Sequence, residues 1–147
     1  MILKLLIAWF LMALCVTIHA TGLGVAFRWM KSRHTPAYDE RFWPPIRLLI
    51  DVAGWTIFLH LVEISAWAFF YAWGQALPDI PSAYYFSAVT YTTTGYGDLV
   101  LPPEWRLVGG VEALTGILMC GLSTGFFFTI VSRLHHARSG SAPNFKP

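Results

Sequence analysis

The chain has 147 residues, of which 56% are hydrophobic and 12% carry a charged side chain. This composition is too apolar for an ordinary soluble domain, so it favours a membrane protein, and the length allows one domain. A formal net charge of +2 gives no indication of nucleic-acid binding. The two cysteines, Cys15 and Cys120, lie in separate apolar stretches without metal-ligand spacing, which supports neither a disulfide nor a metal site.

The first apolar stretch, residues 2–27, is long enough to cross a bilayer and predicts an N-terminal transmembrane helix. The alternative is a cleaved signal peptide, with Lys4 in its basic region and the small residue Ala20 at the cleavage position. The apolar run continues past Ala20, which favours the helix. We expect Thr17 and His19, two of its few polar residues, to be satisfied inside a helix bundle.

A basic linker, residues 28–45, follows and is predicted to be cytoplasmic by the positive-inside rule, which places the N-terminus outside. Its aromatic residues suit the membrane interface, and Pro44 and Pro45 suit the first turn of a helix. The linker's basic residues are Arg28, Lys31, Arg33 and Arg41.

The second apolar stretch, residues 46–73, predicts a tilted transmembrane helix that contains Asp51, His60 and Glu63. Asp51 lies one turn from the cytoplasmic end, where it can reach the headgroups. His60 and Glu63 are three residues apart and therefore share one helix face. A charge inside the bilayer is costly unless it is paired or neutralised. The pair predicts either a polar contact that fixes helix packing or a proton-sensing site.

A turn rich in glycine and proline, residues 74–81, precedes a short helical segment, residues 82–92. Eleven residues of helix reach about 16 Å, roughly half of a bilayer. Such a segment cannot span the membrane, so it must enter and return. Non-helical backbone at that depth is tolerated only inside protein or beside water.

Three threonines, two glycines and a tyrosine follow directly, in the run Thr92 to Asp98. Glycine reaches positive φ without a Cβ penalty, so alternate residues can turn their carbonyl groups toward a common axis. The run from Thr93 to Gly97 resembles the selectivity filter of potassium channels, Thr-Val-Gly-Tyr-Gly followed by Asp, with Thr94 in place of valine.

The resemblance implies a re-entrant pore helix and an ion-binding filter loop. Its ion-binding residues would be Thr93, Thr94, Gly95, Tyr96 and Gly97, with K⁺ held at the first four of these. The residues that support the filter would be Asp98, Tyr85 and Phe86, with Tyr84 in the same aromatic group.

The chain departs from the family's pattern at Val89, where some members carry a glutamate that pairs with the filter aspartate. Asp98 therefore needs another partner or solvent. Glu112, in the third apolar stretch, is one hypothesis for that partner, and a contact between Glu112 and His60 is another.

The third apolar stretch, residues 105–134, predicts an inner transmembrane helix with several small residues that permit close helix packing. Gly116 matches the family's gating hinge, and close packing against a neighbouring helix is the alternative. A short tail, residues 135–147, carries further basic residues and is predicted to be cytoplasmic.

These observations together predict an all-α membrane protein with three transmembrane helices, a re-entrant pore helix and a selectivity-filter loop. Residues 46–134 resemble the two-helix pore module of potassium channels, and the first helix is additional. The resemblance implies a potassium-selective channel in the cell membrane, with no enzyme activity and no cofactor besides K⁺ as the permeant ion. One filter strand cannot surround an ion, so a homotetramer in the lipid bilayer is expected.

Two other functions stay open, a non-selective cation channel and a non-conducting modulatory membrane subunit. No stretch of the sequence has arginine at every third position, so no voltage sensor is predicted. The gating stimulus is not indicated by the sequence.

Overall fold

The computed structural model describes residues 2–32 and 43–139. These residues form four α-helices and one 3₁₀ turn, Pro103–Trp105, and contain no β-strand. The helices are α1 Ile2–Ser32, α2 Trp43–Trp73, α3 Ile80–Tyr91 and α4 Arg106–Ser139. The predicted all-α architecture is confirmed.

Three segments are long and apolar enough to cross a membrane: Ile2–Met30, Ile46–Trp73 and Pro103–His135. Large apolar side chains face outward along all three, for example Trp9, Phe69 and Phe128, which are 64%, 71% and 71% exposed. A helix that is apolar on every side suits lipid or a membrane partner rather than water. The chain is therefore a multi-pass membrane protein.

The helix α3 has a defined start. Asp79 lies in extended backbone before it, and its carboxylate accepts a hydrogen bond from the Ser82 amide at 2.7 Å. That amide holds the pKa of the Asp79 carboxyl below its usual range. The cap explains why α3 begins at Ile80, two residues before the start predicted from composition. Its 12 residues reach about 18 Å, so the half-length helix is confirmed.

Aromatic side chains form the core where α2, α3 and the start of α4 meet. Trp67 and Tyr71 of α2 are fully buried. Tyr71 contacts Phe86 of α3 edge-on at 5.4 Å between ring centroids and Trp105 at 6.3 Å. This core fixes the position of α3 relative to α2 and α4.

The first helix packs along both α2 and α4 rather than standing apart from them. Gly22 lets α1 approach Leu59 closely, since a Cβ at that position would lie 2.5 Å from the leucine side chain. Trp55 donates a hydrogen bond to the Gly22 carbonyl at 2.9 Å. Near the N-terminus of α1 the Lys4 ammonium lies 3.9 Å from the centroid of the Trp105 ring.

The predicted basic linker and tail lie largely outside the described residues. Within the described part, α1 continues to Ser32 and α2 begins at Trp43, with the two prolines in its first turn. The helix α4 continues to Ser139, beyond the stretch 105–134 that hydropathy indicates.

Candidate ion filter and its supports

The run from Thr92 to Asp98, here called the filter segment, has an alternating backbone. Thr93, Gly95 and Gly97 have φ values of 60°, 52° and 78°. Positive φ is uncommon for threonine, and the sequence indicated it only for the two glycines. With Thr93, every second residue from 93 to 97 has positive φ. A backbone that alternates in this way turns successive carbonyl groups differently from a β-strand and can bring them toward one axis.

The start of the filter segment is bound to the last turn of α3. The Thr93 amide donates to the Thr90 carbonyl at 2.9 Å, and the Gly95 amide donates to the Val89 carbonyl at 3.1 Å. The Thr92 and Thr94 hydroxyls are hydrogen-bonded to each other at 3.0 Å. These contacts hold the beginning of the segment against the C-terminal end of the helix, which carries partial negative charge.

All seven residues of the filter segment are exposed in the single chain. Tyr96 is 73% exposed. One chain therefore presents an open strand of backbone rather than an enclosed site.

The predicted supports occupy different environments. The Tyr85 hydroxyl donates to the Asp98 carboxylate at 2.6 Å. Phe86 is buried against Tyr71, whereas Tyr84 is 44% exposed. Asp98 thus receives from Tyr85 the hydrogen bond that the absent carboxyl at Val89 cannot supply.

Glu112 is hydrogen-bonded to neither Asp98 nor His60, so both hypotheses for it are wrong. It is fully buried between helices, where it accepts a hydrogen bond from the Tyr71 hydroxyl at 2.8 Å and contacts the Ser87 hydroxyl. The reason is its position on α4, which turns it toward the α2–α3 interface.

Ser87 also donates to the Ile64 carbonyl at 3.0 Å. Its single hydrogen cannot serve both that carbonyl and Glu112. All three contacts are satisfied together when Glu112 is a neutral carboxylic acid that donates to Ser87.

A second buried polar group surrounds the predicted pair of His60 and Glu63. The Glu63 carboxylate contacts His19 Nδ1 at 2.9 Å and also contacts the Tyr91 hydroxyl. Ser123 Oγ lies 2.9 Å from His19 Nε2 and 3.0 Å from His60 Nε2. The sequence indicated the pair of His60 and Glu63, and the expectation that His19 is satisfied inside the bundle is confirmed. The same expectation for Thr17 is wrong, since its exposed hydroxyl bonds only within α1. The sequence did not indicate Tyr91 or Ser123 as members of the group. A histidine inside an apolar stretch was the one available signal for His19.

The side chains of His19, His60 and Glu63 could hold a metal ion by residue type, since each offers a ligand atom within 4.8 Å of the others. Each of these side chains already has hydrogen-bond partners on both sides of the group. Metal binding would therefore replace these hydrogen bonds.

Gly116, the predicted hinge, lies directly against the backbone of Tyr91. A Cβ at this glycine would be 1.8 Å from the Tyr91 carbonyl oxygen. The helix α4 runs unbroken from Arg106 to Ser139 through this point. The close-packing interpretation describes this conformation, and bending at Gly116 stays a prediction.

Comparison with known proteins agrees with this geometry. Residues 57–133, which contain α3, the filter segment and most of α4, match a family model described as "Ion channel". The chain is 39% identical over 66 residues to the potassium voltage-gated channel protein Shal of Drosophila melanogaster, covering 43% of this chain and 11% of that protein.

It is 50% identical over 45 residues to the potassium voltage-gated channel protein shk-1 of Caenorhabditis elegans, covering 30% of this chain and 8% of that protein. The chain thus spans about a tenth of the length of these relatives. No solved structure matches the chain.

The family match covers more than half of the chain, and the relatives carry potassium channel names. The predicted membership of the potassium channel pore-module family is confirmed, and the protein is a channel rather than an enzyme. The helices α2, α3 and α4, with the filter segment between α3 and α4, follow one another in the order of a two-helix pore module. The chain belongs to the ion channel family.

Proposed function

We propose that the protein is a potassium-selective channel subunit that conducts K⁺ through a filter built from four copies of residues 93–97. The observation that carries this proposal is the alternating backbone of an exposed filter segment at the end of a half-length helix. The two named relatives, both potassium channel proteins, support the choice of ion.

The proposed ion ligands are backbone oxygens. The carbonyl groups of Thr93, Thr94, Gly95 and Tyr96, with the Thr93 hydroxyl, replace the hydration shell of a dehydrated ion. The exposed filter strand of one chain cannot surround an ion, so four strands about a common axis complete each ring. Gly97 permits the outward turn, with φ of 78°, and Asp98 sets the charge at the mouth.

The proposed orientation places the N-terminus and the filter mouth outside and the C-terminus in the cytoplasm. The basic residues of the linker, residues 28–45, and of the tail, residues 135–147, support this direction through the positive-inside rule. In this orientation the C-terminal end of α3 points inward and stabilises a cation that approaches the filter.

A matched pair of glycine variants tests the proposal in liposomes that contain only this protein. Gly97→Ala forces alanine into positive φ where no atom lies within 4 Å, so it strains the filter without a steric clash. Gly110→Ala adds a methyl group to α4 in open space at negative φ.

We expect K⁺ flux in wild type and Gly110→Ala, and at least about a tenfold loss in Gly97→Ala, since strain of order 1–3 kcal/mol per subunit acts at the ion ligands. No flux from the wild type would favour a modulatory subunit. Equal Na⁺ and K⁺ flux would favour a non-selective channel. Cross-linking of the reconstituted protein to a tetramer checks the assembly.

A further inference from the structure

Five side chains from the four helices form one closed ring of hydrogen-bond contacts inside the bundle. In order around the ring they are Glu63, His19, Ser123, His60 and Tyr91. The first four contacts are 2.9, 2.9, 3.0 and 3.1 Å, and the fifth joins Tyr91 to Glu63. His19, Glu63 and Tyr91 are at most 1% exposed.

The number of hydrogens decides which protonation state this ring can have. Each contact needs one hydrogen between its two heavy atoms, so five contacts need five hydrogens. Ser123 and Tyr91 supply one each, a neutral His19 and a neutral His60 supply one each, and an ionised Glu63 supplies none. The usual neutral-pH forms therefore supply four hydrogens, and one contact would place two acceptors face to face.

One additional proton closes the ring, and it can lie on any of three groups. On Glu63 it makes every member donate once and accept once. On His19 or His60 it makes that imidazolium donate twice, and the carboxylate of Glu63 accepts twice. A sixth proton would place two hydrogens on one contact, so the ring is complete with one additional proton only.

The net charge of Glu63, His19 and His60 also favours one additional proton. With the fifth proton the three titratable groups are neutral in sum, and without it one negative charge remains inside the bilayer. The titratable groups that face Glu63 from neighbouring helices are Cys15 of α1 and Cys120 of α4, neither of which is a cation. Glu112 of α4 faces Cys15 and is acidic. The lysine and arginine side chains that the structure describes lie near helix ends: Lys4, Arg28, Arg47, Arg106 and Arg133.

We propose that these five side chains form a binding site for a single proton, shared by Glu63, His19 and His60. The proton closes a ring that ties α1, α2 and α4 to Tyr91, the last residue of α3. Release of the proton breaks one contact and leaves a charged carboxylate in the bundle. Stability from the closed ring is therefore present at lower pH and lost as pH rises through the release of the fifth proton.

A consequence for conduction rests on the proposed function. Tyr91 immediately precedes the filter segment, and its backbone carbonyl packs against Gly116 of α4. Opening the ring removes a restraint at the base of the filter. We expect the open probability of the channel to change over the pH range in which the proton leaves.

Two substitutions distinguish a ring that holds one additional proton from a group of side chains that only packs the helices together. Glu63→Gln supplies one amide hydrogen in place of the proton, so the ring closes with both histidines neutral and nothing left to release. Ser123→Ala removes two contacts, and the three hydrogens of Tyr91 and the two neutral histidines satisfy the remaining three contacts without the extra proton. Thr17→Ala is the control, because it deletes an exposed hydroxyl that bonds only within α1, to the Ala13 carbonyl.

The test is NMR of histidine-ring ¹⁵N in the full-length protein in lipid bilayers, from about pH 5 to about pH 10. In wild type and Thr17→Ala we expect the signals of His19 and His60 to change together in one step that releases one proton. In Glu63→Gln that step should be absent. In Ser123→Ala it should move to lower pH by about one unit, a tenfold weaker proton affinity.

Independent titration of His19 and His60, or an unchanged step in both Glu63→Gln and Ser123→Ala, would overturn the proposal. Zn²⁺ added at micromolar level to the wild type distinguishes a metal site: the proposal predicts unchanged histidine signals at neutral pH, and a zinc-dependent shift of both would contradict it. Because the readout is protonation, it holds even if the protein conducts nothing.

Discussion

The contact between Gly116 and Tyr91 gives the sharpest test of how α4 supports the filter. Gly116→Ala would place its Cβ 1.8 Å from the Tyr91 carbonyl oxygen and 2.7 Å from the carbonyl carbon. Ordinary van der Waals contact begins near 3.4 Å, so the two backbones must separate by about 1.6 Å. Neither atom belongs to a flexible side chain, so rotation of a side chain cannot relieve the clash.

The expected cost follows from two opposing effects. Overpacking a well-packed interior costs about 1–3 kcal/mol, and alanine in place of glycine within a helix returns up to about 1 kcal/mol. The displaced residue is the last of α3, so the filter segment moves with it. We expect Gly116→Ala to lower the free energy of unfolding by a net of about 1–2 kcal/mol and to abolish most K⁺ flux.

Gly125→Ala is the matched control, because a Cβ there meets no atom within 4 Å on the same helix. It should be as stable as the wild type, or more stable by up to about 1 kcal/mol. Thermal melting of the purified protein in detergent, followed by flux in liposomes, gives both readouts. A Gly116→Ala protein that is as stable and as conductive as Gly125→Ala would refute the close-packing account.

Three further outcomes follow from the same contacts. Glu112→Gln should preserve stability, since an amide can replace the neutral acid, whereas Glu112→Ala should cost about 2–4 kcal/mol in thermal unfolding by leaving buried hydroxyls without a partner. Tyr85→Phe removes the donor to Asp98 and should speed amide hydrogen exchange at the end of the filter segment, measured by mass spectrometry, with little change in melting temperature. Lys4→Met removes the cation from the face of Trp105 and should lower stability by about 0.5–1 kcal/mol, an effect that melting of the purified protein would detect.

The features that depend on a short stretch of sequence were predictable from the sequence. Glycines at positions 95 and 97 permit the positive φ that the structure shows there, and a 12-residue helix cannot cross a bilayer. Hydropathy located all three spanning helices. These features depend on neighbouring residues only, so no knowledge of the packing was needed.

The buried polar contacts could not be predicted, because they join residues far apart in the chain. His19 and Glu63 are 44 positions apart, and His19 and Ser123 are 104 apart. Helices that are apolar on every side give no periodicity that shows which face turns inward. The same lack of a signal explains the wrong hypotheses for Glu112, whose partners were decided by the rotation of α4.

A reversal potential tests most directly whether four copies of this chain form the proposed potassium-selective pore. The purified protein is placed in a planar bilayer with K⁺ on one side and an equal concentration of Na⁺ on the other, and single-channel current is recorded against voltage. We expect current carried by K⁺ and a reversal potential displaced strongly toward the K⁺ equilibrium potential. A reversal potential near zero would contradict it.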